Sequence, residues 1–239
     1  MRRSRISVYQ SRKHLVITLF VVALPFLFLL WFSQFSGIAT SRLFSDIGIS
    51  LTRLIIAYVI SAGIAWVLAV SFYHGRRAVI ALPFFDILQS FPTFAVVPLA
   101  VLTFGKTNAT IIFFLVITII WPILFSIISS LKLIKHDWEE AAEISGLRGI
   151  NYVRHFLWPI SVPGLITGSI IGLGEGWEAL VATELIMGIQ MGLGNFFDAN
   201  ASHGETIALG VLGLLIIIFS INKLLWLPLL EASHHRMEE

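Results

Sequence analysis

Six long apolar stretches run along the chain, and short polar segments separate them. Each is long enough to cross the hydrocarbon core of a bilayer, about 30 Å thick, as an α-helix. Strands of a membrane barrel would instead alternate apolar and polar residues over about ten positions, whereas these stretches are continuous. The pattern therefore predicts an all-α, polytopic membrane protein with about six transmembrane helices. The predicted spans are residues 15–32, 49–73, 79–104, 109–131, 160–187 and 206–229.

The composition agrees with a chain embedded in a lipid bilayer. Of its 239 residues, 57% are hydrophobic and 13% are charged, and the mean hydropathy is +0.89, which is far from the balance of a water-soluble domain. The pI near 9.1 does not indicate a nucleic-acid partner, because the formal net charge is only +2 and the basic residues flank apolar stretches. The chain has no cysteine, which excludes disulfides, thiolate metal sites and thiol catalysis.

The distribution of basic residues predicts the orientation of the spans. Of the 16 Lys and Arg residues, Arg42, Arg53 and Lys106 fall on one side of the predicted membrane and the others fall on the side of the N-terminus. Because Lys and Arg are retained in the cytoplasm, we expect both termini to be cytoplasmic in a bacterial inner membrane. Residues 132–157 then form the largest cytoplasmic loop, and residues 188–205 form the largest outer loop after the first.

The first apolar stretch leaves a choice between a cleaved secretory signal and a retained anchor, because basic residues precede it. Its apolar core exceeds the usual 7–15 residues of a signal, and no convincing small-x-small cleavage site follows. We therefore expect a retained anchor. The preceding basic residues are Arg2, Arg3, Arg5, Arg12 and Lys13.

The largest predicted cytoplasmic loop reads as two short helices. Asp137 is suited to cap the first, with Glu140 completing a capping box, and Gly146 is suited to end it in a left-handed conformation. Proline lacks the N–H of a helix interior, so Pro159 and Pro163 are expected to end the second helix before the next span. Ala141 and Ala142 leave one patch of the first helix without bulk, which permits close approach by another protein surface.

The spacing within this loop resembles the EAA motif of permease subunits from binding-protein-dependent ABC importers. The motif is Glu-Ala-Ala, three residues, Gly, nine residues, Ile, any residue, Leu-Pro. Here it is matched by Glu140, Ala141, Ala142, Gly146 and Pro159, while Phe156 and Trp158 stand for the isoleucine and the leucine. Both substitutes are apolar, so we expect the packing to be kept.

Other segments between about residues 45 and 225 are similar to one branch of that family, which transports nitrate, sulfonates, taurine or bicarbonate. They include Ser50-Leu51-Thr52-Arg53, the segment 85–92, Val97-Pro98-Leu99-Ala100, Phe104-Gly105, Pro163-Gly164, Trp177 and Val181-Ala182-Thr183-Glu184-Leu185. The resemblance implies the fold of type I importers. It divides the chain into residues 1–48 with the basic segment, first span and outer loop, a permease core at 49–229 with a coupling loop at 132–157, and a cytoplasmic tail at 230–239.

The resemblance also implies partners and a mechanism. In this family the coupling loop docks into a cleft of a separate ATP-binding subunit, which carries the ATP and magnesium, so no cofactor is expected in this chain. A second permease chain, usually an identical one, and an extracytoplasmic substrate-binding protein are expected. The implied function is import of a small solute by alternating access.

Three carboxylates, Glu175, Glu178 and Glu184, fall in or near the fifth span. A lipid-facing carboxylate costs about 2.5 kcal/mol or more there, so these groups should face protein or water. Two readings remain open: they line the transport pathway, or they form structural pairs, for instance with Arg53. The glycine-rich segment 172–176 permits close helix approach or a helix break. An acidic lining gives no support to an anionic substrate.

Asp86 lies in the third span, where Pro83, Pro92 and Pro98 predict a kinked or broken helix. Irregular backbone at membrane depth is tolerated only against protein or a wet cavity. Pathway lining and helix packing are both open readings for Asp86.

Catalytic and metal sites are not expected. Gly105-Lys106-Thr107 ends like a phosphate-binding loop, but Ala100 occupies the position of the required first glycine. His203, His234 and His235 lack a convincing metal-ligand spacing, so an enzyme is not expected. Two rival functions are a stand-alone proton-coupled secondary transporter, which would use Glu175, Glu178 or Asp86, and a membrane scaffold. The loop with its small residues argues against both, because neither needs it.

Overall fold

A computed structural model describes the backbone of residues 2–230 and 233, and the side chains of residues 17–230 and 233. The rest of the predicted tail at 230–239, with His234 and His235, lies outside the described residues, as do the side chains of the five N-terminal basic residues. The described part is helical and contains no strand. Its helices are α1 (Arg2–Ser36), α2 (Thr40–Phe72), α3 (Gly75–Gln89), α4 (Thr93–Phe104), α5 (Asn108–Leu131), α6 (His136–Ile144), α7 (Ile150–Tyr152), α8 (Trp158–Met187), α9 (Leu193–Ala199) and α10 (Gly204–Ile221).

The predicted all-α polytopic architecture is confirmed. Five stretches are long and apolar enough to cross a membrane, and α3 with α4 makes a sixth if the bent pair counts as one span. The five are Ile17–Ser36, Thr40–Phe72, Asn108–Leu131, Ile150–Met187 and Gly204–Leu230. Successive spans alternate in direction, so α6 lies at one end of the bundle and α9 at the other; we call these the α6 end and the α9 end.

The first outer loop is much shorter than predicted. The second span was expected to begin at residue 49, but α2 begins at Thr40 and only residues 37–39 separate it from α1. The added turns bury Leu43 and Asp46 on the same helix face as Ser50 and Arg53. Polar side chains that are satisfied inside the protein therefore extend the helix beyond its apolar core.

The centre of the bundle consists of α2, α5 and α8. Helix α5 is the most enclosed element, with Ile111, Leu115, Ile119, Ile123 and Ile127 fully buried. Helix α10 packs on α1, where Phe28 lies against Gly213. The core is therefore a three-helix unit, and α1 and α10 form a second layer against it.

A stripe of glycines every fourth residue brings α8 close to α5. A methyl group on Gly168 would lie 2.6 Å from the Cα of Ile123, and one on Gly176 would lie 2.9 Å from the Cδ1 of Ile119. Small residues at this spacing allow membrane helices to approach closely. Of the two roles expected for the glycine-rich segment, close approach is confirmed for Gly172 and Gly176, whereas the alternative of a helix break is wrong because α8 runs unbroken from Trp158 to Met187.

The predicted break in the third span is confirmed. Helices α3 and α4 meet at an angle of 77°, and Pro92 stands immediately before α4. Proline disfavours a helical conformation in the residue before it, here Phe91. Pro83 and Pro98 lie inside α3 and α4 without ending them, so Pro92 marks the break.

Candidate functional site at an exposed loop and an open cleft

Helix α6 stands outside the membrane-spanning bundle and carries the Glu-Ala-Ala sequence. The predicted cap at Asp137 is wrong: the cap position lies two residues earlier, at Lys135, and no side chain bonds there. Asp137 instead lies in the first turn, where its charge suits the helix dipole. Glu140 does not complete a capping box but lies 3.1 Å from the Nε2 of exposed His136.

The C-terminal end of α6 is the one predicted. Gly146 has a φ of +73°, and its N–H donates to the carbonyl of Glu143 at 2.9 Å while the N–H of Leu147 donates to the carbonyl of Ala142 at 3.0 Å. This is the paired bonding of a Schellman motif, in which glycine is the favoured left-handed residue. The backbone therefore leaves α6 in a sharp, fixed turn.

The second half of the loop differs from the prediction. Helix α7 continues through a π-helical segment, Val153–Leu157, directly into α8, and Pro159 and Pro163 lie within the first turns of that helix. Proline removes a hydrogen bond to the preceding turn and its ring crowds the carbonyl four residues back. The π-helical turn just before Pro159 relieves that conflict, so neither proline ends a helix.

The two residues that depart from the motif both pack against aromatic partners. The Phe156 ring lies 4.9 Å from that of Tyr152, and the Trp158 ring meets the edge of Trp66 at 5.2 Å. Trp66 also donates its indole N–H to Ser161 at 2.9 Å. Packing at these positions is therefore aromatic.

The two alanines of the motif lie in different surroundings. Ala141 is exposed, whereas Ala142 is 5% exposed and packs inside the chain. Apolar side chains around them face solvent: Ile144 is 88% exposed and Ile150 is 77% exposed. Ile144 lies outside the candidate spans and Ile150 at the first residue of one, and exposed apolar side chains at the edge of a membrane bundle are typical of a surface for a protein partner.

The base of the loop is held by a buried tyrosine. Burial raises the pKa of Tyr73, and the neighbouring Tyr152 adds to the rise. The phenol therefore remains neutral between the end of α2 and Tyr152, the last residue of α7.

A buried ion pair joins α2 to α8 at the α9 end. Glu184 is fully buried, and its Oε1 accepts from the Nη1 of Arg53 at 2.5 Å. The Ser50 hydroxyl and the N–H of Gly194 donate to the same carboxylate at 2.9 Å and 2.8 Å. The sequence left two roles open for Glu184, pathway lining or a structural pair. In the structure Glu184 forms the pair with Arg53.

The network around this pair extends into the outer loop. Arg53 also donates to the Asn108 side chain at 2.9 Å and to the Met191 carbonyl at 3.1 Å, and Asp46 accepts from the N–H of Gly192 at 2.9 Å. The roles of Asp46, Ser50 and the glycines were missed from the sequence. The sequence did contain one signal for two of them, since the spacing of Asp46, Ser50 and Arg53 places all three on one helix face.

An open cleft of about 830 Å³ lies where α3 and α4 break apart, bounded by α5 and α8. Glu175 borders it, with the aromatic side chains of Phe91, Phe94, Trp121 and Phe125. Within the described part of the chain, Glu175 has no ion-pair or hydrogen-bond partner. It therefore presents a carboxylate to the cleft.

The other two acidic candidates are placed differently. Asp86 is exposed and accepts from the Nε2 of Gln89 at 2.6 Å, and Gln89 borders the same cleft. Glu178 faces a second, largely apolar groove between α8, α9 and α10. Glu175 therefore borders the cleft, Asp86 is linked to the cleft only through Gln89, and neither belongs to the hydrogen-bond network of Glu184.

The Gly105-Lys106-Thr107 sequence has a structural role here. Gly105 adopts a φ of +76°, and Thr107 caps α5 by accepting from the N–H of Thr110 at 3.2 Å. Among the described residues, no group of His, Cys, Asp and Glu is arranged to hold a metal ion.

Comparison with known proteins gives one family. The family model described as "Binding-protein-dependent transport system inner membrane component" matches residues 61–227. The nitrate import permease protein NrtB of Leptolyngbya laminosa is 31% identical over 182 residues, which are 73% of this chain and 65% of that protein.

Two further relatives show the same extent of similarity. The nitrate import permease protein NrtB of Synechocystis sp. and the bicarbonate transport system permease protein CmpB of Synechococcus elongatus are each 29% identical over 176 residues. The match covers 70% of this chain and 63% of each relative. The chain thus spans slightly less than two thirds of the length of these relatives.

Proposed function

This chain belongs to the family of binding-protein-dependent transport system inner membrane components, and from that premise we propose that it is the permease subunit of an ATP-driven importer of a small solute. As a member of this family it is an ABC transporter permease and a multi-pass membrane protein. The proposal adds the coupling to a separate ATPase, alternating access, import as the direction and the absence of an enzymatic activity in this chain.

The observation that carries the proposal is the geometry of α6. The helix is short, stands outside the spans, begins with acidic residues and ends in the fixed turn at Gly146. Exposed Ala141 leaves room for close approach, and Ile144 and Ile150 offer apolar contacts on the same loop. A secondary transporter has no need of such a helix.

The link from α6 to the membrane supports transmission of movement. The backbone passes from α7 through the π-helical segment into α8 without a flexible break. Helix α8 in turn packs closely on α5 through its glycines. In the proposal, a partner bound at α6 and α7 therefore acts on α8 through this continuous backbone, and α8 borders the cleft at Glu175.

In the proposed cycle, two permease chains enclose the pathway and two ATPase subunits bind ATP and magnesium outside them. Closure of the ATPases draws the two α6 helices together and opens the pathway outward. An extracytoplasmic binding protein delivers solute at the α9 end, in the segment 188–205, and hydrolysis restores the inward-open state. The Glu140, Ala141, Ala142, Gly146 and Pro159 positions act in this coupling. An identical second permease chain is the expected partner.

The proposed orientation places both termini and the α6 end in the cytoplasm of a bacterium with the chain in its inner membrane. The support is the distribution of Lys and Arg along the sequence, because only Arg42, Arg53 and Lys106 fall in segments predicted on the side of the α9 end. The relatives' names supply nitrate and bicarbonate as the first solutes to assay.

The experiment is co-purification of the ATPase with the full chain, solubilised in mild detergent from its native host. Ala141→Asp places a charge on the exposed patch without touching the chain's own packing, whereas Ala142 is buried and its substitution would test folding instead. Ala109→Asp is the matched control, because Ala109 is also exposed in a helix but lies at the α9 end. We expect the ATPase to accompany wild type and Ala109→Asp and to be lost from Ala141→Asp.

A wild-type chain without an associated ATPase would contradict the proposal. The second candidate, a proton-coupled secondary transporter, is favoured by one observation, the unpaired carboxylate of Glu175 in the open cleft. It predicts uptake driven by a proton gradient in vesicles that contain this chain alone. Uptake that requires ATP and the second subunit would exclude it.

A further inference from the structure

The cleft between α3, α4, α5 and α8 has the size and lining of a small-molecule site. Its volume of about 830 Å³ lies within the range of about 300–1,000 Å³ for ligand pockets. Four aromatic side chains, Phe91, Phe94, Trp121 and Phe125, border it. One carboxylate, that of Glu175, accompanies them.

The charge of the lining has one sign. Among the described residues that border the cleft there is no Lys, Arg or His, so a negative charge on Glu175 has no opposite charge beside it there. The polar donors beside the cleft are all neutral, namely the Gln89 amide, the Trp121 indole and the hydroxyls of Ser90, Thr93, Thr118 and Ser126. Gln89 directs its Nε2 to Asp86 at 2.6 Å, and the hydroxyls of Ser90, Thr93 and Thr118 donate to backbone carbonyls. An inorganic anion would therefore meet a carboxylate and, among the described residues, no full positive charge.

The helix dipoles do not reverse this sign. The C-terminal end of α3 and the N-terminal end of α4 both border the cleft, at Gln89 and Thr93. The partial charges at the two ends are about −0.5 and +0.5, so they largely offset each other. The carboxylate of Glu175 then decides which ions the cleft attracts.

We propose that this cleft binds an organic cation, with the ammonium or ring cation at Glu175 and its apolar body against Phe94, Trp121 and Phe125. Aromatic faces attract cations through the ring quadrupole, most strongly at Trp. An ionisable residue inside the membrane is expected to have a partner, and for Glu175 the solute supplies it. This inference rests on the proposed function, because the cleft is a transport site only in a permease.

The substrate class differs from that of the relatives named above. Their names give nitrate and bicarbonate, which are small inorganic anions without an apolar body. Sequence identity of about 30% between this chain and these relatives leaves room for a different solute in the same architecture, since function depends on the site and not on the fold.

The test measures binding to the full-length chain in lipid nanodiscs by equilibrium dialysis. The probes are benzyltrimethylammonium, benzenesulfonate as an aromatic anion, and nitrate. We expect the wild type to bind the aromatic cation about tenfold more tightly than either anion, which corresponds to about 1.4 kcal/mol. Glu175→Gln should abolish that preference, and Trp121→Leu should weaken binding of the cation.

Glu178→Gln is the matched control, since it removes the same charge from α8 but faces the other groove. It should leave the preference for the cation intact. The proposal is overturned if wild type binds the cation no better than empty nanodiscs, if an anion binds equally well, or if both Gln variants behave alike.

Co-purification of the ATPase separates the two proposals. A chain that retains the ATPase but prefers anions refutes the cation site and leaves the permease function standing. A chain that binds the cation selectively but never associates with an ATPase refutes the importer and keeps the cation site. Retention of the ATPase by Glu175→Gln also shows that this variant is folded.

Discussion

Arg53 and Glu184 form a buried ion pair between α2 and α8, with 2.5 Å between Nη1 and Oε1. Glu184 is fully buried and Arg53 is 7% exposed. Ser50 and Gly194 complete the hydrogen bonding of the carboxylate. This pair therefore fixes the outer loop that contains Gly192 and Gly194 to the membrane bundle.

We expect Glu184→Gln to destabilise the chain by about 3–5 kcal/mol, because the guanidinium of Arg53 is left buried without its counter-charge. The double variant Arg53→Met with Glu184→Gln should lose less than the sum of the two single variants. Reversible unfolding in mixed micelles gives these free energies.

The control is Glu178→Gln, which removes a carboxylate from an exposed position of the same helix and should change stability little. Additive losses in the double variant would show that Arg53 and Glu184 act independently, which contradicts the pair.

A second prediction concerns the glycine stripe of α8. A methyl group on Gly168 would lie 2.6 Å from the Ile123 Cα, so Gly168→Ala should cost about 1–3 kcal/mol through overpacking. A methyl group on Gly174 would meet nothing within 4 Å. Gly174→Ala should therefore stabilise the helix, by about 0.5–1 kcal/mol.

The same unfolding measurement compares the two alanine variants, which differ only in which side of α8 they modify. Equal effects would mean that α5 and α8 do not approach as closely as described. The changes in stability expected for Gly168→Ala and Gly174→Ala have opposite signs because only Gly168 contacts α5.

The spans and the loop helix were predictable because their signals are local. A continuous apolar stretch, a glycine at a helix end and a proline before a break act within a few residues, and α4, α6 and the break at Pro92 follow from them. The pairing of Glu184 was only one of two open readings, since Arg53 is far away in sequence. Its surrounding donors, such as the N–H of Gly194, carry no side-chain signal at all.

The errors have physical causes of the same kind. Asp137 was expected to cap α6, but cap positions depend on backbone geometry that a sequence pattern fixes only to within one or two residues. Pro159 was expected to end a helix, but a π-helical segment accommodates it. The cleft at Glu175 needs residues from α3, α4, α5 and α8 together, so no single segment predicted it.

A third prediction tests the role of Thr107. Its hydroxyl accepts from the N–H of Thr110 at the start of α5, so Thr107→Ala should cost about 1 kcal/mol. The neighbouring Lys106→Ala should cost less, because Lys106 is exposed and does not cap the helix. We expect the isolated wild-type chain not to bind labelled ATP. Binding that is present in wild type and lost in Lys106→Ala would show instead that this segment holds a nucleotide phosphate.

The last prediction concerns the turn after α6. Gly146 has a φ of +73° and no atom within 4 Å of a methyl group placed on it, so a substitution there acts through backbone strain and not through a clash. The left-handed conformation costs an ordinary residue about 1–2 kcal/mol, and asparagine tolerates it better. We expect Gly146→Val to weaken ATPase co-purification strongly and Gly146→Asn to retain most of it. Equal loss in both variants would indicate that the partner tolerates no side chain at position 146. The left-handed turn would then not be what positions α6.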